Sequence, residues 1–449
     1  MYAIPLCPTL GSLTDAAQYH PVTAPTGIIT LGYYVMGDAG GGHYKYAATE
    51  PSHLGKLSVT LAGGATAWFE LVDHVVNPKQ FGAVGDGVAI DTAALRSCIQ
   101  FGKVIFLLSL QYLVDAHIAI PDGRIVKGAG RENTRVFRAA NDTTKETITD
   151  SDGTTYAGCN TLFFIESGGQ GTTLTDLRYS GCDDATDGTT LVQFGNNCRQ
   201  VNLKRARGTS ARKAYSTSGE LWMSTFDLVS AGGCEEAFDF ANSGFKTSLK
   251  ITNCYAENCG SGFRFQNMQY SELGALGADH IARPLVNPYN VNDVNPYGKA
   301  YGNPASSRGV YDFINCRGNK IGALGTENSW ANGAIRNVAS ELSVQGIRVY
   351  NLHSSYGPPD GTFGVGPFVA WTESCCFDLH AVSIEGYTQH VAAAGQIYFC
   401  GFNFSQADYG SRDFHMVQLF SGRVGTWANG IFGGRGDTSY CRDYMSKAA

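Results

Sequence analysis

An internal repeat constrains the fold of this chain more than any other sequence feature. The segments STFDLVSAGGCEEAFDF (224–240) and SLKITNCYAENCGSGFRF (248–265) share an ending of the form C-x-x-(A/G)-F-x-F. Aligned on that ending, Phe238 takes the position of Phe263, which gives a period in the twenties. A unit this short cannot bury its apolar face alone and has to stack on the next unit, as the coils of a β-solenoid do. The repeat therefore predicts an all-β parallel solenoid.

A second pair of segments indicates that one coil is enlarged. The strings ELGALGADH (272–280) and KIGALGTEN (320–328) are nearly identical, but the offset between them is almost twice the period of the repeat. That offset corresponds to one coil plus an insertion, which we place at 283–309, and a second insertion is expected at 353–372. Loops this long inside a compact fold are usually functional.

Most of the chain is predicted to be β-structure, with one short helix. Short apolar runs alternate with turn residues, and 56 of the 449 residues are glycine, which suits frequent tight turns. The only convincing amphipathic pattern predicts a helix over 91–100. Leu95 and Cys98 lie on its apolar stripe, and Asp91 is expected to cap its N-terminus.

Three regions are expected along the chain. Residues 1–76 predict a small N-terminal β module, because the glycine run in GDAGGGHYKY allows tight hairpins. Residues 77–395 carry the helix and the repeats and are predicted to form the solenoid. Residues 396–449 are expected to form a C-terminal β segment without an assigned role.

Charge and cysteine placement exclude several classes of function. The chain has 33 basic and 39 acidic residues and no basic run, so neither nucleic acid nor membrane insertion is expected. No segment approaches the roughly 18 apolar residues of a membrane span. The 13 cysteines form no CxxC pair and no cluster with histidine. We therefore expect no metal and no other cofactor.

Acidic residues recur at one position of the repeat. The strings YAEN, GADH, GTEN and SIEG each end a short run on an acid and a turn residue, and the predicted register stacks these acids in one column: Glu257, Asp279, Glu327 and Glu385. Coils about 4.8 Å apart separate such acids by about 5 or about 10 Å. These separations bracket the roughly 5–9.5 Å that glycosidases use.

The column predicts hydrolysis of a glycosidic bond. Two adjacent carboxylates resist ionising together, and one then retains the proton that a general acid needs. Asp279 and Glu327 flank the first insertion and are the favoured acid and partner carboxylate, with Glu257 and Glu385 as the next candidates. The alternative is that these acids are ordinary turn residues. His280 is a candidate substrate contact or base, and its alternative is also a turn position.

The two insertions carry aromatic residues suited to sugar binding. Aromatic planes accept the C–H faces of sugar rings, and the asparagines of the first insertion suit sugar hydroxyls. The candidates are Tyr289, Tyr297, Tyr301, Tyr356 and Trp371. The alternative is that these side chains pack the insertions onto the solenoid wall.

Several motifs resemble those of a known family. FGAVGDG (81–87) followed by DTAAL (91–95) resembles the N-terminal signature of pectate-lyase-like right-handed β-helix proteins. LGYYVMGDAGGGHYKY (31–46) is similar to the particle-proximal segment of bacteriophage tailspikes. The coils ending in GALGADH and GALGTEN resemble those of polysaccharide-degrading tailspikes.

The resemblance implies a homotrimeric phage tailspike or depolymerase with a right-handed parallel β-helix. It implies binding and cleavage of a bacterial surface polysaccharide, attachment to the phage tail or baseplate through the N-terminus, and a place in the virion after synthesis in the host cytoplasm. Two alternatives stay open. A polysaccharide lyase would use Lys, Arg or Tyr to remove the C5 proton of a uronic acid, and a non-catalytic adhesin would only bind.

Overall fold

A small N-terminal sheet precedes a β-solenoid of about ten coils. In the computed structural model the described residues are 7–283, 286–287, 290–294, 296, 309–330, 335–338, 340–352, 369–371, 376–379, 381–385 and 406–408. Within this part of the chain, no helix has the length and apolar character needed to cross a membrane.

The N-terminal sheet has five strands. In chain order they are Thr9–Leu10, Gly27–Thr30, Gly42–Ala47, Lys56–Thr60 and Thr66–Leu71. All neighbours are antiparallel except the first two. Side chains alternate between core and solvent, and Leu57, Val59 and Phe69 are buried. The predicted small β module is confirmed.

The predicted helix is confirmed at Thr92–Phe101. The predicted capping by the Asp91 side chain is wrong: Asp91 holds the N-cap position but makes no side-chain capping bond. Its carboxylate instead accepts the backbone N–H groups of Val84 (2.7 Å) and Gly85 (3.0 Å) and ties down the preceding turn. Two 3-10 helices, Thr14–Gln18 and Pro78–Phe81, are the other helical segments described.

Three parallel faces form the wall of the solenoid. The strands of the first face are Val75–Val76, Val104–Leu107, Ile125–Gly128, Thr173–Thr175, Asn202–Lys204, Thr225–Asp227, Lys250–Thr252, Glu272–Leu273 and Cys376–Leu379. Those of the second are Asp86–Ile90, Gln111–Leu113, Arg135–Phe137, Arg178–Ser180, Cys254–Glu257, Leu276–Asp279, Ala381–Glu385 and Gln406–Asp408. Those of the third are Ile118–Ile120, Thr161–Ile165, Thr190–Phe194, Ser261–Gln266, Tyr311–Ile314, Ile335–Val338 and Val369–Trp371.

Four long strands turn a corner of the wall. Asn319–Ser329 and Glu341–Leu352 run from the first face into the second, and Arg207–Thr217 and Ser230–Phe240 run from the second into the third.

The other strands complete a corner or form hairpins. A narrow parallel ladder contains Cys198–Arg199, Leu221–Trp222, Lys246–Thr247 and Met268–Gln269. Two antiparallel hairpins are formed by Glu146–Thr149 with Thr155–Cys159, and by Val286–Asn287 with Asn290–Val294.

Stacked side chains confirm the predicted period. Phe238 pairs in register with Phe263, as the sequence alignment predicted, and Phe263 pairs with Tyr311. The ring centroids lie 4.5 Å and 5.5 Å apart in stacked geometry. The longer offset across the first insertion is also confirmed, since Leu276 pairs with Leu324. All these rings are buried, so the stacks contribute both apolar burial and aromatic contact to stability.

The predicted region boundaries at 1–76, 77–395 and 396–449 stay predictions. Most of the two insertions and of the C-terminal region lies outside the described residues.

Candidate active site

Three acidic residues occupy one register position on consecutive coils of the second face. Glu257 pairs with Asp279, and continuing the next strand pairing brings Asp279 beside Glu327. The backbone N–H of His280 donates to the Glu327 carbonyl at 2.8 Å and keeps this register to the end of the strand. Glu257 and Asp279 are half-buried and Glu327 is exposed. We call these three residues the carboxylate column.

The fourth predicted acid is not adjacent to the other three. Tyr350 occupies the register position after Glu327, and Glu385 follows Tyr350. Glu385 is therefore two coils from Glu327, about 10 Å along the solenoid axis. The sequence did not reveal the coil that carries Tyr350 between Glu327 and Glu385.

The residue after each acid of the column turns the chain away from the second face. Asn258, His280 and Asn328 all have left-handed backbone conformations, with φ of 50°, 55° and 49°. Asparagine tolerates this region well, and histidine does so less often. The structure thus places His280 at a turn beside the column, and its predicted contact with substrate stays a prediction.

Tyr255 is joined to the column by a hydrogen bond. It lies two residues before Glu257 on the same outward face, and its hydroxyl donates to the Asp279 carboxylate on the next coil at 2.6 Å. Gly277 makes this reach possible, because a Cβ built there would lie 2.7 Å from the Tyr255 ring. Burial and then the hydrogen bond and charge of Asp279 raise the pKa of the Tyr255 phenol well above its usual range.

A cavity opens next to the column on its N-terminal side. Its volume is about 320 Å³, and Tyr255, Glu257, Arg131 and Arg207 are among its lining residues. Gly232 pairs in register with Glu257. On the coil before Glu257, the register position of the column is therefore occupied by a glycine, which has no side chain. This small residue leaves room beside Glu257 for part of a ligand.

A second group of charged residues lies on the third face. We call it the ion cluster, and its members are Lys213, Glu236, Asp239, Arg264 and Asp312. Lys213 contacts Glu236 at 3.0 Å, and Arg264 contacts Asp239 at 3.0 Å and Asp312 at 3.6 Å. Burial opposes the charged form of Lys213, but Asp239 and Glu236 outweigh it and raise its pKa.

The two groups of carboxylates differ in how their charges are neutralised. Each acid of the ion cluster has a cationic partner. Within the part of the chain that the structure describes, no cation lies within 4.0 Å of Glu257, Asp279 or Glu327. The column is therefore the candidate group for contact with a substrate.

The predicted sugar-binding residues are not tested by the structure. Tyr289, Tyr297, Tyr301 and Tyr356 lie outside the described residues. Trp371 is placed only at the end of the strand Val369–Trp371, which pairs with Ile335–Val338. Their role in binding stays a prediction.

Sequence reasoning missed Tyr255 and the arginines of the cavity. The repeat does contain a signal for Tyr255. The residues two positions before the three acids of the column are Tyr255, Gly277 and Gly325. An aromatic residue followed by glycine at the same position of the next coil indicates a ring that lies over that glycine.

Comparison with known proteins supports the fold and the resemblance. A family model described as rhamnogalacturonase A/epimerase, pectate lyase-like, matches residues 75–274. Depolymerase 1, capsule K30/K69-specific, of Klebsiella phage K5-2 is 27% identical over 145 residues, which cover 29% of this chain and 18% of that protein.

Two solved tailspikes share the architecture. The enzymatically active domain of tailspike protein 2 of bacteriophage CBA120 has a TM-score of 0.58 at 13% identity, covering 89% of this chain and 56% of the other. The gp42 tailspike of Acinetobacter phage vb_AbaP_AS12 has a TM-score of 0.59 at 16% identity, covering 84% and 63%. This chain thus matches less than two thirds of the length of each relative. The chain is similar to phage tailspikes and depolymerases with a pectate-lyase-like right-handed β-helix, as its sequence indicated.

Proposed function

We propose that this chain hydrolyses glycosidic bonds within a bacterial surface polysaccharide, such as a capsule or an O-antigen, as part of a phage tailspike. The observation that carries the proposal is the carboxylate column, with three acids on consecutive coils, no described cationic partner and an adjoining cavity of about 320 Å³. The similarity to a capsule depolymerase of a Klebsiella phage supports the same class of substrate.

Asp279 and Glu327 are the proposed catalytic pair. The Tyr255 hydroxyl orients the Asp279 carboxylate, which attacks the anomeric carbon or removes a proton from the attacking water. Glu327 donates its proton to the glycosidic oxygen as the bond from that oxygen to the anomeric carbon breaks. If Asp279 attacks, it forms a glycosyl ester that water then cleaves: the water hydroxyl replaces Asp279 on the anomeric carbon, and Glu327 takes the other proton and is restored as the acid. If Asp279 acts as the base, it takes that proton itself, and proton exchange with solvent then restores both carboxyl groups.

The state of Tyr255 argues against a lyase in which this residue is the base. A lyase needs a base that removes the C5 proton of a uronic acid, and a tyrosine performs that task only when its phenol is ionised. Burial and the neighbouring acids raise the pKa of Tyr255, so the phenol stays protonated near neutral pH. A protonated phenol can orient a carboxylate but cannot remove that proton.

Product analysis separates the three candidate functions. Polysaccharides purified from candidate host strains are incubated with the protein and assayed for reducing ends and for the ultraviolet absorbance of unsaturated uronates. Reducing ends without that absorbance support the hydrolase, and the absorbance supports the lyase. Binding without either product supports the adhesin.

Two substitutions test the catalytic pair. Asp279→Asn and Glu327→Gln should each lower turnover by about 10² to 10⁴ without changing the melting temperature. Glu272→Gln is the matched control, because Glu272 is an exposed acid on the first face of the same coil as Asp279. Near-normal rates in both variants would overturn the pairing, and Glu257 and Glu385 would be tested next.

The native assembly is proposed to be a homotrimer attached to the phage tail through its N-terminal region. The support is the resemblance to tailspikes together with the strand edges that a single solenoid leaves unpaired at its ends. Sedimentation should give three times the chain mass of 48.0 kDa. A stable monomer with full activity contradicts this assembly.

A further inference from the structure

Three arginines share one register position on consecutive coils of the second face. Arg135 pairs with Arg178, and Arg178 pairs with Arg207. The same line of positions continues through Ser230 to Tyr255. We call the three residues the arginine ladder, and it leads directly towards the cavity and the carboxylate column.

The charges of the ladder are poorly neutralised within the described part of the chain. No described acidic group lies within 4.0 Å of Arg178, and its Nε is buried without a hydrogen-bond partner among those residues. Burial and then the charge of Arg178 lower the pKa of Arg135. Arg207 reaches only Glu132, at 3.6 Å, and Glu132 is exposed and shared with Arg131.

A neighbouring arginine shows the usual arrangement. Arg205 lies two residues before Arg207, and its Nε contacts the Asp176 carboxylate at 2.6 Å. Like charges on adjacent coils repel one another, and an ordinary solvated surface offers no reason to align them. The ladder therefore has the features of a site for an anion that comes from outside the chain.

We propose that Arg178 and Arg207, with Arg131 beside them, form a subsite for the anionic groups of an acidic polysaccharide. The planar guanidinium binds carboxylate and phosphate groups through paired hydrogen bonds, and either group can supply the anion. This inference rests on the proposed function and adds the class of substrate to it.

The position of the subsite explains how an acidic chain could bind beside three carboxylates. Arg207 lies two coils before Glu257, about 10 Å along the solenoid axis. Anionic groups held there are separated from the column, and the polymer is fixed in one register along the wall. The bond to be cleaved then lies over Asp279 and Glu327.

The test begins with the polysaccharide that the wild-type protein degrades, chosen from purified acidic and neutral capsules and O-antigens. That polymer is compared in three forms: native, with its carboxyl groups reduced to alcohols, and with phosphate removed by hydrogen fluoride. KM and kcat are measured for wild type, Arg178→Gln and Arg207→Gln, with Arg205→Gln as the matched control.

Loss of the anionic group should raise KM at least about tenfold, because charged hydrogen bonds contribute about 1.5–3 kcal/mol. Arg178→Gln and Arg207→Gln should raise KM for the native polymer similarly, with little change in kcat or melting temperature. They should match wild type on the polymer that lacks the anion, and Arg205→Gln should match it throughout. The form that loses binding identifies the anion.

Three results would overturn the inference. One is degradation of a neutral polysaccharide only, which leaves the proposed function intact. Another is an unchanged KM of both ladder variants on the native acidic polymer. A third is the absence of any degraded polysaccharide, which overturns the proposed function as well.

Discussion

The carboxylate column and the ion cluster both contain aspartate and glutamate, but among the described residues these acids are paired with cations only in the ion cluster. In the ion cluster, Arg264 alone contacts Asp239, Glu236 and Asp312 at 3.0–3.6 Å, and its side chain is 14% exposed. In the column, Asp279 has one described side-chain partner, the uncharged hydroxyl of Tyr255. The difference lies in the surroundings and not in the acids themselves.

This comparison teaches that neutralisation separates structural acids from candidate catalytic ones in this solenoid. Burying a charge without a partner costs several kcal/mol, so the buried acids of the third face, Asp239 and Asp312, need their cations. The acids of the column keep contact with solvent and can stay without a cation. Only such an acid is available to hold or transfer a proton at a substrate.

The largest expected effect is the loss of protein stability when the ion cluster is disrupted. Arg264→Met keeps much of the side-chain volume but removes the cation that contacts Glu236, Asp239 and Asp312. We expect a loss of about 3–5 kcal/mol in the free energy of unfolding, because one partner of a buried ion group is removed. Chemical denaturation measures this loss, and Arg205→Met, which breaks the exposed pair with Asp176, should cost less than about 1 kcal/mol.

The activity of the same variant is the decisive control. Folded Arg264→Met protein, assayed at low temperature, should retain near-normal turnover. If the variant has normal stability but no activity, the active site lies at the ion cluster, and the two regions do not differ as described.

A smaller effect is expected on the column from Tyr255→Phe. This change removes only the hydroxyl that orients Asp279. Since hydrogen bonds to charged groups contribute about 1.5–3 kcal/mol, turnover should fall about 10- to 100-fold while the melting temperature stays constant. Tyr270→Phe, at a side chain that is 73% exposed, should change neither. Equal loss of stability and activity would show that the Tyr255 contact is structural.

A still smaller effect should follow from crowding the Tyr255 ring. A Cβ at position 277 would lie 2.7 Å from that ring, whereas at Gly325 the nearest described atom is the Leu276 carbonyl oxygen at 4.0 Å. Gly277→Ala should therefore displace the hydroxyl and lower turnover by up to about tenfold, since the ring can partly readjust. Gly325→Ala is the matched control. Identical rates in the two variants contradict the role given to the ring position.

The smallest effect concerns pH and the ion cluster. Burial and then the charge of Glu236 raise the pKa of Asp239, despite the nearby cations. At pH values above about 4, Asp239 then binds more protons in the folded state than in the unfolded state. Its contribution to the free energy of unfolding therefore falls as pH rises through this window. Wild type should gain stability relative to Asp239→Asn as pH falls from neutral towards about 5. An opposite slope contradicts the raised pKa.

The sequence was sufficient to predict the wall of the solenoid and the alignment of the column. Apolar residues that repeat with the coil, such as Phe226, Ile251 and Leu273, are buried and stacked on the first face. Each coil has to bury its apolar side against the next, so matching segments fix the register of everything between them. The alignment of Glu257 with Asp279 follows from that constraint.

The sequence was not sufficient where coils differ in length. Tyr255 stacks on Gly277 and Gly277 stacks on Gly325, but the second step along the chain is more than twice as long as the first. With such variable offsets, a constant spacing cannot show that three arginines share one line or that Tyr350 separates Glu327 from Glu385.

The repeat therefore determined which backbone positions form the core and the walls, because burial of apolar side chains is a collective requirement of every coil. Tertiary structure decided which charged side chains meet. Arg264 forms ion pairs with three acids, whereas Arg178 forms none with the described residues. Both are arginines on outward-facing positions of the same wall. Contacts between side chains depend on a few ångströms of reach, and only the folded coils bring those atoms together.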